Sequence, residues 1–132
     1  RVLISPQDYD EMFTAFPTPY CCVEFCQGTF TEMGVDVYET IEHFASQGRI
    51  AYVHLRNVRG TVPSYDETLI DDGDVNMAQA LLAYQKGGYE GTFIPDHYPE
   101  LASAQGSHAT VAYSIGYIRG LMKALDIPIW GE

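Results

Sequence analysis

Three short hydrophobic runs in this chain, residues 20–26, 50–55 and 92–96, carry Cys26, His54 and Asp96 at or near their C-terminal ends. Each run is followed by a polar loop and then by apolar residues at helical spacing. That order is the grammar of a parallel α/β sheet, in which chemistry sits at the C-terminal ends of the strands. A thiolate, an imidazole and a carboxylate from three neighbouring strands are therefore expected to converge on one mixed-ligand metal site.

The segments between the runs support this reading. Residues 6–16 have the pattern of a short acidic helix, which Pro17 and Pro19 end before the first strand. Gly28 opens a loop. Val37, Ile41, Phe44 and Ala45 mark a helix over about 35–47, with Gly48 as its stop. The loop over 56–73 is longer than most connections in compact domains, so a functional role is expected for it. Asp74 is the expected N-cap of a helix over 75–86, with Ala78, Leu81 and Leu82 on its apolar face and Gly87 and Gly88 at its end. After the third strand, a loop of small and polar residues runs to 107. Val111, Ile115, Ile118, Met122 and Leu125 then stripe the last helix. The order is α-βα-βα-βα, a single domain over residues 1–132.

Side chains alternate faces along a strand. One face carries Cys21, Val23, Phe25, Ala51, Val53, Leu55, Phe93 and Pro95, all apolar. The other carries Tyr20, Cys22, Glu24 and Cys26, then Ile50, Tyr52, His54 and Arg56, then Thr92, Ile94 and Asp96, and becomes polar toward the strand ends. A barrel interior that opens into an active site has this pattern, whereas an open two-layered sheet keeps both faces apolar. The expected fold class is α/β: a partial TIM-type (β/α) barrel, about three βα units with a leading helix and parallel strands. A complete eightfold barrel takes roughly 200 residues or more, so this chain holds under half of one. Two raw sheet edges follow, which another copy or the missing half must cover. The expected partner is thus a second copy of the chain or a complementing N-terminal half. Arg1 stands where an initiator methionine would, and the chain reads as processed or as a fragment of a longer protein.

Composition narrows the function classes. Acidic residues outnumber basic ones 18 to 7, for a formal charge of −11. Nucleic acid is an unsuitable partner, since its phosphates need a basic patch. Local acidity instead attracts cations. No apolar run approaches the ~20 residues of a membrane-spanning helix, and no charged-then-apolar signal segment opens the chain. Cys21, Cys22 and Cys26 match no disulfide framework, zinc finger or CxxC pattern, so a reducing, cytoplasmic setting is expected. The donor trio suits a borderline divalent ion such as Zn, Fe, Co or Mn. Each donor alone reads as a buried polar residue with a partner; shared face parity favours the metal.

Several stretches resemble the mannonate dehydratase family in order along nearly the whole chain. Phe25-Cys26-Gln27-Gly28-Thr29 and Glu32-Met33-Gly34 resemble its cysteine-ligand segment. Val53-His54-Leu55-Arg56-Asn57-Val58-Arg59-Gly60 resembles its histidine-ligand strand and the arginine-bearing loop beyond. Glu67-Thr68, Asp71-Asp72-Gly73-Asp74 and Met77 fit its following loop. Pro95-Asp96-His97 and Gly116-Tyr117-Ile118-Arg119-Gly120-Leu121 resemble its last strand and last helix.

The resemblance implies a xylose-isomerase-like barrel that dehydrates D-mannonate to 2-keto-3-deoxy-D-gluconate with Mn²⁺, Fe²⁺ or another divalent ion. Cys26, His54 and Asp96 become three metal ligands. The family's fourth, a histidine on an earlier strand, has no counterpart in this chain. His43 lies mid-helix, and His108 is a loop candidate only. His97 is implied for acid–base work, provided the strand has ended by Asp96, because adjacent strand residues face opposite ways. The family's tyrosine before the last helix has no match in residues 103–110, and Tyr113 is the nearest in sequence. Arg56 and Arg59 are candidate anchors for the sugar acid's carboxylate, with ion pairs to Glu67 or Asp71 as the plainer reading. Removing the proton beside a carboxylate and expelling hydroxide needs stabilised oxyanion charge and a nearby acid, which explains such a site. A sugar isomerase or epimerase on the same barrel is the alternative enzyme, and a non-catalytic half-barrel the alternative outside enzymes. No turnover is expected of this chain without a partner completing the barrel.

Overall fold

A computed structural model describes residues 2–99 and 106–130. Helix α1 (Pro6–Ala15) starts in a reciprocal cap: Ser5 Oγ accepts from the Asp8 N–H, and the Asp8 carboxylate accepts from the Ser5 N–H. Strand β1 (Val23–Cys26) is shorter than the apolar run that announced it. Arg49 donates to the carbonyls of Thr18 and Cys21, so a side chain ties that segment in place of a strand ladder, and Tyr20 stands 92% exposed.

Strands β2 (Ile50–His54) and β5 (Phe93–Ile94) complete a parallel sheet of order β1-β2-β5. Cys26 lies opposite His54, and His54 opposite Ile94. The three donor-bearing runs are therefore neighbours, as expected. One parity assignment is reversed. The register jumps from Val23↔Ile50 to Glu24↔Tyr52, leaving Ala51 as the extra residue of an irregularity. Ile50 is consequently buried in the core and Ala51 exposed, since one extra residue flips every side chain before it.

Helices α3 (Val37–Ser46) and α4 (Met77–Lys86) cover the apolar face. Phe25, Ile41, Phe44, Val53, Leu81 and Tyr84 are all at most 1% exposed there. Phe25 stacks on Phe30 with centroids 4.4 Å apart and meets Tyr84 edge-on at 5.9 Å.

Three elements differ from the expectation. Helix α2 (Gln27–Glu32) follows β1 directly, where Gly28 suggested a loop. The 56–73 segment contains an antiparallel hairpin, β3 (Val58–Thr61) and β4 (Ser64–Glu67). Gly60 permits it, with φ +87° and a would-be Cβ 2.8 Å from the Ser64 carbonyl oxygen. The N-cap of α4 is Asn76, whose side chain accepts from the Ala78 and Gln79 N–H groups. Asp74 instead accepts from the Gly60 N–H and braces the hairpin.

Helix α5 (Gly106–Ala124) buries Gly106, Thr110, Ser114 and Ile118, one residue per turn. Ile115, from the expected stripe, is 43% exposed and faces a groove of about 780 Å³ that also borders Phe93, Ile94, Met122 and Trp130. Part of the loop expected up to 107 lies in residues 100–105, outside the described residues.

Burial raises the Tyr84 phenol well above its ordinary range and pushes Tyr89 up to about 12. Both folded values exceed the unfolded value of about 10. The stability tied to these neutral phenols is complete below pH ~10 and is lost as pH rises through about 12. The urea midpoint should hold up to pH ~10 and fall above it. It should fall less steeply in Tyr89→Phe; an equal slope in the variant would assign the loss to other groups.

Candidate metal centre

Cys26 ends β1, His54 ends β2, and Asp96 lies just beyond β5. Strand register thus brings three residues far apart in sequence to one end of the sheet. One donor atom from each lies within 4.8 Å of the others. Donors bound to a single ion at roughly 2.0–2.3 Å stand about 3.3–4.6 Å apart, so the trio lies close to ligating separation, and its donor types suit a borderline divalent ion.

Carboxylates crowd around the cluster. His54 Nδ1 is 2.9 Å from Glu24 Oε1 and 3.2 Å from Asp96 Oδ2. Glu24 Oε2 accepts from the Tyr52 hydroxyl at 2.5 Å, and that hydrogen bond raises the Tyr52 pKa, keeping the donor protonated. Glu24 shares face parity with Cys26 and His54, so its place here was readable from the strand period.

The next residue out is Arg56, 5% exposed. Its Nε donates to Cys26 Sγ at 3.2 Å, one terminal nitrogen to Glu67 Oε1 at 2.6 Å, and the other to Glu32 Oε1 at 2.5 Å and Thr29 Oγ1 at 3.3 Å. Burial by itself would lower the Arg56 pKa, but the Cys26 sulfur and the two glutamates carry it above its ordinary value. The second oxygens of Glu32 and Glu67 are buried and accept nothing from the described residues. With Glu24 and Asp96, the neighbourhood holds four carboxyl groups beside one guanidinium. A divalent cation suits that balance as well as it suits the donors.

His97 meets the condition set for it. The strand ends at Ile94, and His97 turns the chain with φ +43°. Its Nε2 lies 3.3 Å from Asp96 Oδ2 and its Nδ1 3.3 Å from Glu67 Oε1. Left-handed backbone at a non-glycine costs roughly 1–3 kcal/mol, and here it turns two adjacent side chains toward one site.

Two expected residues sit elsewhere. Arg59 is exposed on β3 and donates to the Asp72 carbonyl and, at 3.0 Å, to Asp72 Oδ1. Tyr113, on α5, donates to Asp71 Oδ2 at 2.6 Å. Both are thus engaged with the acidic loop that precedes α4. His43 pairs with Asp10 at 2.9 Å on the surface, and His108 is exposed in the first turn of α5. Glu32 was missed as a site residue, and Glu67 was foreseen only as an ion-pair partner of the arginines. Neither lies on the parallel sheet that carries the donors, and their common partner Arg56 joins them to the cluster.

Removing one partner of a buried ion pair strands the rest. Arg56→Met should destabilise the fold by about 3–5 kcal/mol, while Arg59→Met, on the exposed pair, should change stability by at most ~0.5 kcal/mol. Urea unfolding of the two variants tests the contrast, and comparable losses would refute it.

Residues 1–128 match the family described as D-mannonate dehydratase (UxuA). The chain is 29% identical over 134 aligned positions to mannonate dehydratase 2 of Halalkalibacterium halodurans, covering 96% of this chain and 39% of that protein. The mannonate dehydratase of Thermotoga petrophila is also 29% identical, with 96% and 37% covered. A crystal structure of mannonate dehydratase from Streptococcus suis superposes with a TM-score of 0.74 at 19% identity, over 95% of this chain and 39% of that one. The chain therefore spans under two fifths of the length of these relatives. With a match that covers nearly all of its own length, it belongs to the D-mannonate dehydratase family.

Proposed function

We propose that the protein carrying this chain removes water from D-mannonate to give 2-keto-3-deoxy-D-gluconate, using Mn²⁺, Fe²⁺ or a similar ion held by Cys26, His54 and Asp96. The observation that carries this reading is the convergence of thiolate, imidazole and carboxylate donors within 4.8 Å at the strand ends, in a chain of this family. A divalent ion bound there supplies Lewis acidity toward the substrate's oxygens, easing loss of the proton beside its carboxylate.

The chain's own residues divide the remaining work. His97, 59% exposed and held between Asp96 and Glu67, takes the proton, with Glu67 Oε1 orienting the ring through Nδ1. Tyr113 is the second proton-transfer group in this reading, serving a substrate that extends from the donor cluster toward the acidic loop where Asp71 holds it. Its hydrogen bond to Asp71 raises the phenol's pKa, so it stays protonated as an acid must. Arg59, 55% exposed, is the arginine that a sugar acid's carboxylate can reach; Arg56, at 5%, is committed to internal partners.

In this reading the three parallel strands are the last three of a (β/α)8 barrel. Strands from an N-terminal half, or from a second copy, then cover the edges at β1 and β5. Supporting it are the coverage of under two fifths of the relatives' length, the exposed Ile94 on edge strand β5 and the apolar groove beside it. A cytoplasmic setting accords with the three unpaired cysteines. Among the described residues no helix is long and apolar enough to cross a membrane.

Incubating the intact protein with D-mannonate and Mn²⁺ should yield a 2-keto-3-deoxy acid one water lighter than the substrate. His97→Gln should retain bound metal and lose at least ~100-fold in kcat, whereas Cys26→Ala and Asp96→Asn should lose the metal as well. A product of unchanged mass would point to isomerisation and sink the dehydratase reading.

A further inference from the structure

We propose that Arg56 is a positioning residue of the metal centre, whose guanidinium, seated against Gly28 and clamped by Glu32 and Glu67, sets Cys26 Sγ in place for the ion. The inference rests on the metal reading above and adds a residue that acts through a ligand instead of touching ion or substrate.

Nothing in β1 itself fixes the Cys26 sulfur, which sits at the last strand position with a rotatable side chain. What holds it is a donor arriving from just beyond β2: Arg56 Nε–H, 3.2 Å away. That donor is itself immobilised, because the terminal nitrogens are bonded to α2 through Glu32 and Thr29 and to β4 through Glu67. The guanidinium fork reaches these partners from three nitrogens fixed in one plane, whereas an ammonium would have to serve them all from a single atom. The same Glu67 oxygen reaches His97 Nδ1 at 3.3 Å, so one clamp spans the cysteine ligand and the residue beside the carboxylate ligand.

Gly28 gives a second, independent indication. It lies within α2 and has no positive φ, so ordinary helical backbone makes no demand for glycine there. A Cβ at Gly28 would come 2.6 Å from Arg56 Cζ, 2.7 Å from Nε and 2.8 Å from the adjoining terminal nitrogen. Its missing side chain is the seat of the guanidinium.

Charge-preserving substitutions separate positioning from charge. They leave any role exerted through charge alone in place, so such a role predicts unchanged metal binding in them. Positioning predicts weaker binding.

Co²⁺ serves as the probe, because a cobalt–thiolate bond produces a sulfur-to-metal charge-transfer band in the near ultraviolet. Gly28→Ala, which preserves every charge, and Arg56→Lys, which preserves one charge but not the fork, should each weaken Co²⁺ binding by about 10- to 100-fold. Each should also lose or shift the band, with far-ultraviolet circular dichroism retained. Should Arg56→Lys fail to fold, Gly28→Ala carries the test. A folded Gly28→Ala protein with wild-type Co²⁺ affinity and an unaltered band overturns the positioning role while leaving the metal site intact. A wild-type protein with no sulfur band, matching a Cys26→Ala control, overturns the metal reading and this inference with it.

Discussion

The part of this molecule built from loops depends on one buried guanidinium. Taking Arg56 out of water costs several kcal/mol unless its nitrogens find charged partners. Those partners come from α2 and from the β3–β4 hairpin, neither of which belongs to the sheet. Glu32 ties in the short helix after β1, and Glu67 ties in the far strand of the hairpin. The hairpin is fastened a second time where the Val62 N–H donates to the Glu32 carbonyl at 2.9 Å. Without Arg56, the buried Glu32 carboxylate would lose its charged partner, and α2 and the hairpin would lose the side chain that ties them together.

Its neighbour Asn57 does for the following loop what Arg56 does for the site. The Asn57 amide donates to the carbonyls of Ile70 and Val75, and its oxygen accepts from the N–H groups of Val58 and Val75. One 1%-exposed side chain thus satisfies both ends of a segment that has no ladder of its own. The consequence reaches the surface, where the loop's acidic residues hold Arg59, Tyr113 and the Gly60 N–H. Two consecutive residues after β2 therefore organise nearly everything on the polar side of the sheet.

This division explains what could be read from residues alone. Cys26, His54 and Asp96 were legible because period-2 alternation and strand order are local signals, and parallel register turns them into proximity. Glu24 was legible for the same reason. Glu32 was not, since it becomes a site residue through a tertiary contact with Arg56, and Glu67 was legible only as a possible partner of the arginines, its contact with His97 being tertiary as well. Arg56 was placed on the polar face, but nothing in the strand pattern says that a guanidinium will turn inward to carboxylates instead of outward to a substrate. Ile50 and Ala51 misled because a register irregularity carries no signature in two ordinary apolar residues. The hairpin was hidden by a polar sequence, Ser64-Tyr65-Asp66-Glu67, that lacks the apolar alternation of a half-buried strand.

His97 shows how the local and tertiary signals meet. Strand parity alone would send its side chain away from Asp96, and only a break in the extended backbone puts the two together. That break is a left-handed residue, unfavourable by itself, and it persists because its ring lies between two carboxylates supplied by different elements. One of these, Glu67, is held by Arg56; the other, Asp96, stands in the donor cluster. The strain at His97 is thus maintained by the same clamp that reaches Cys26, so the first and last donor-bearing strands are coupled through a hairpin that contributes no donor to the cluster. A site of this kind needs the parallel sheet to bring its donors within reach. It needs the irregular segments to stop them from turning away.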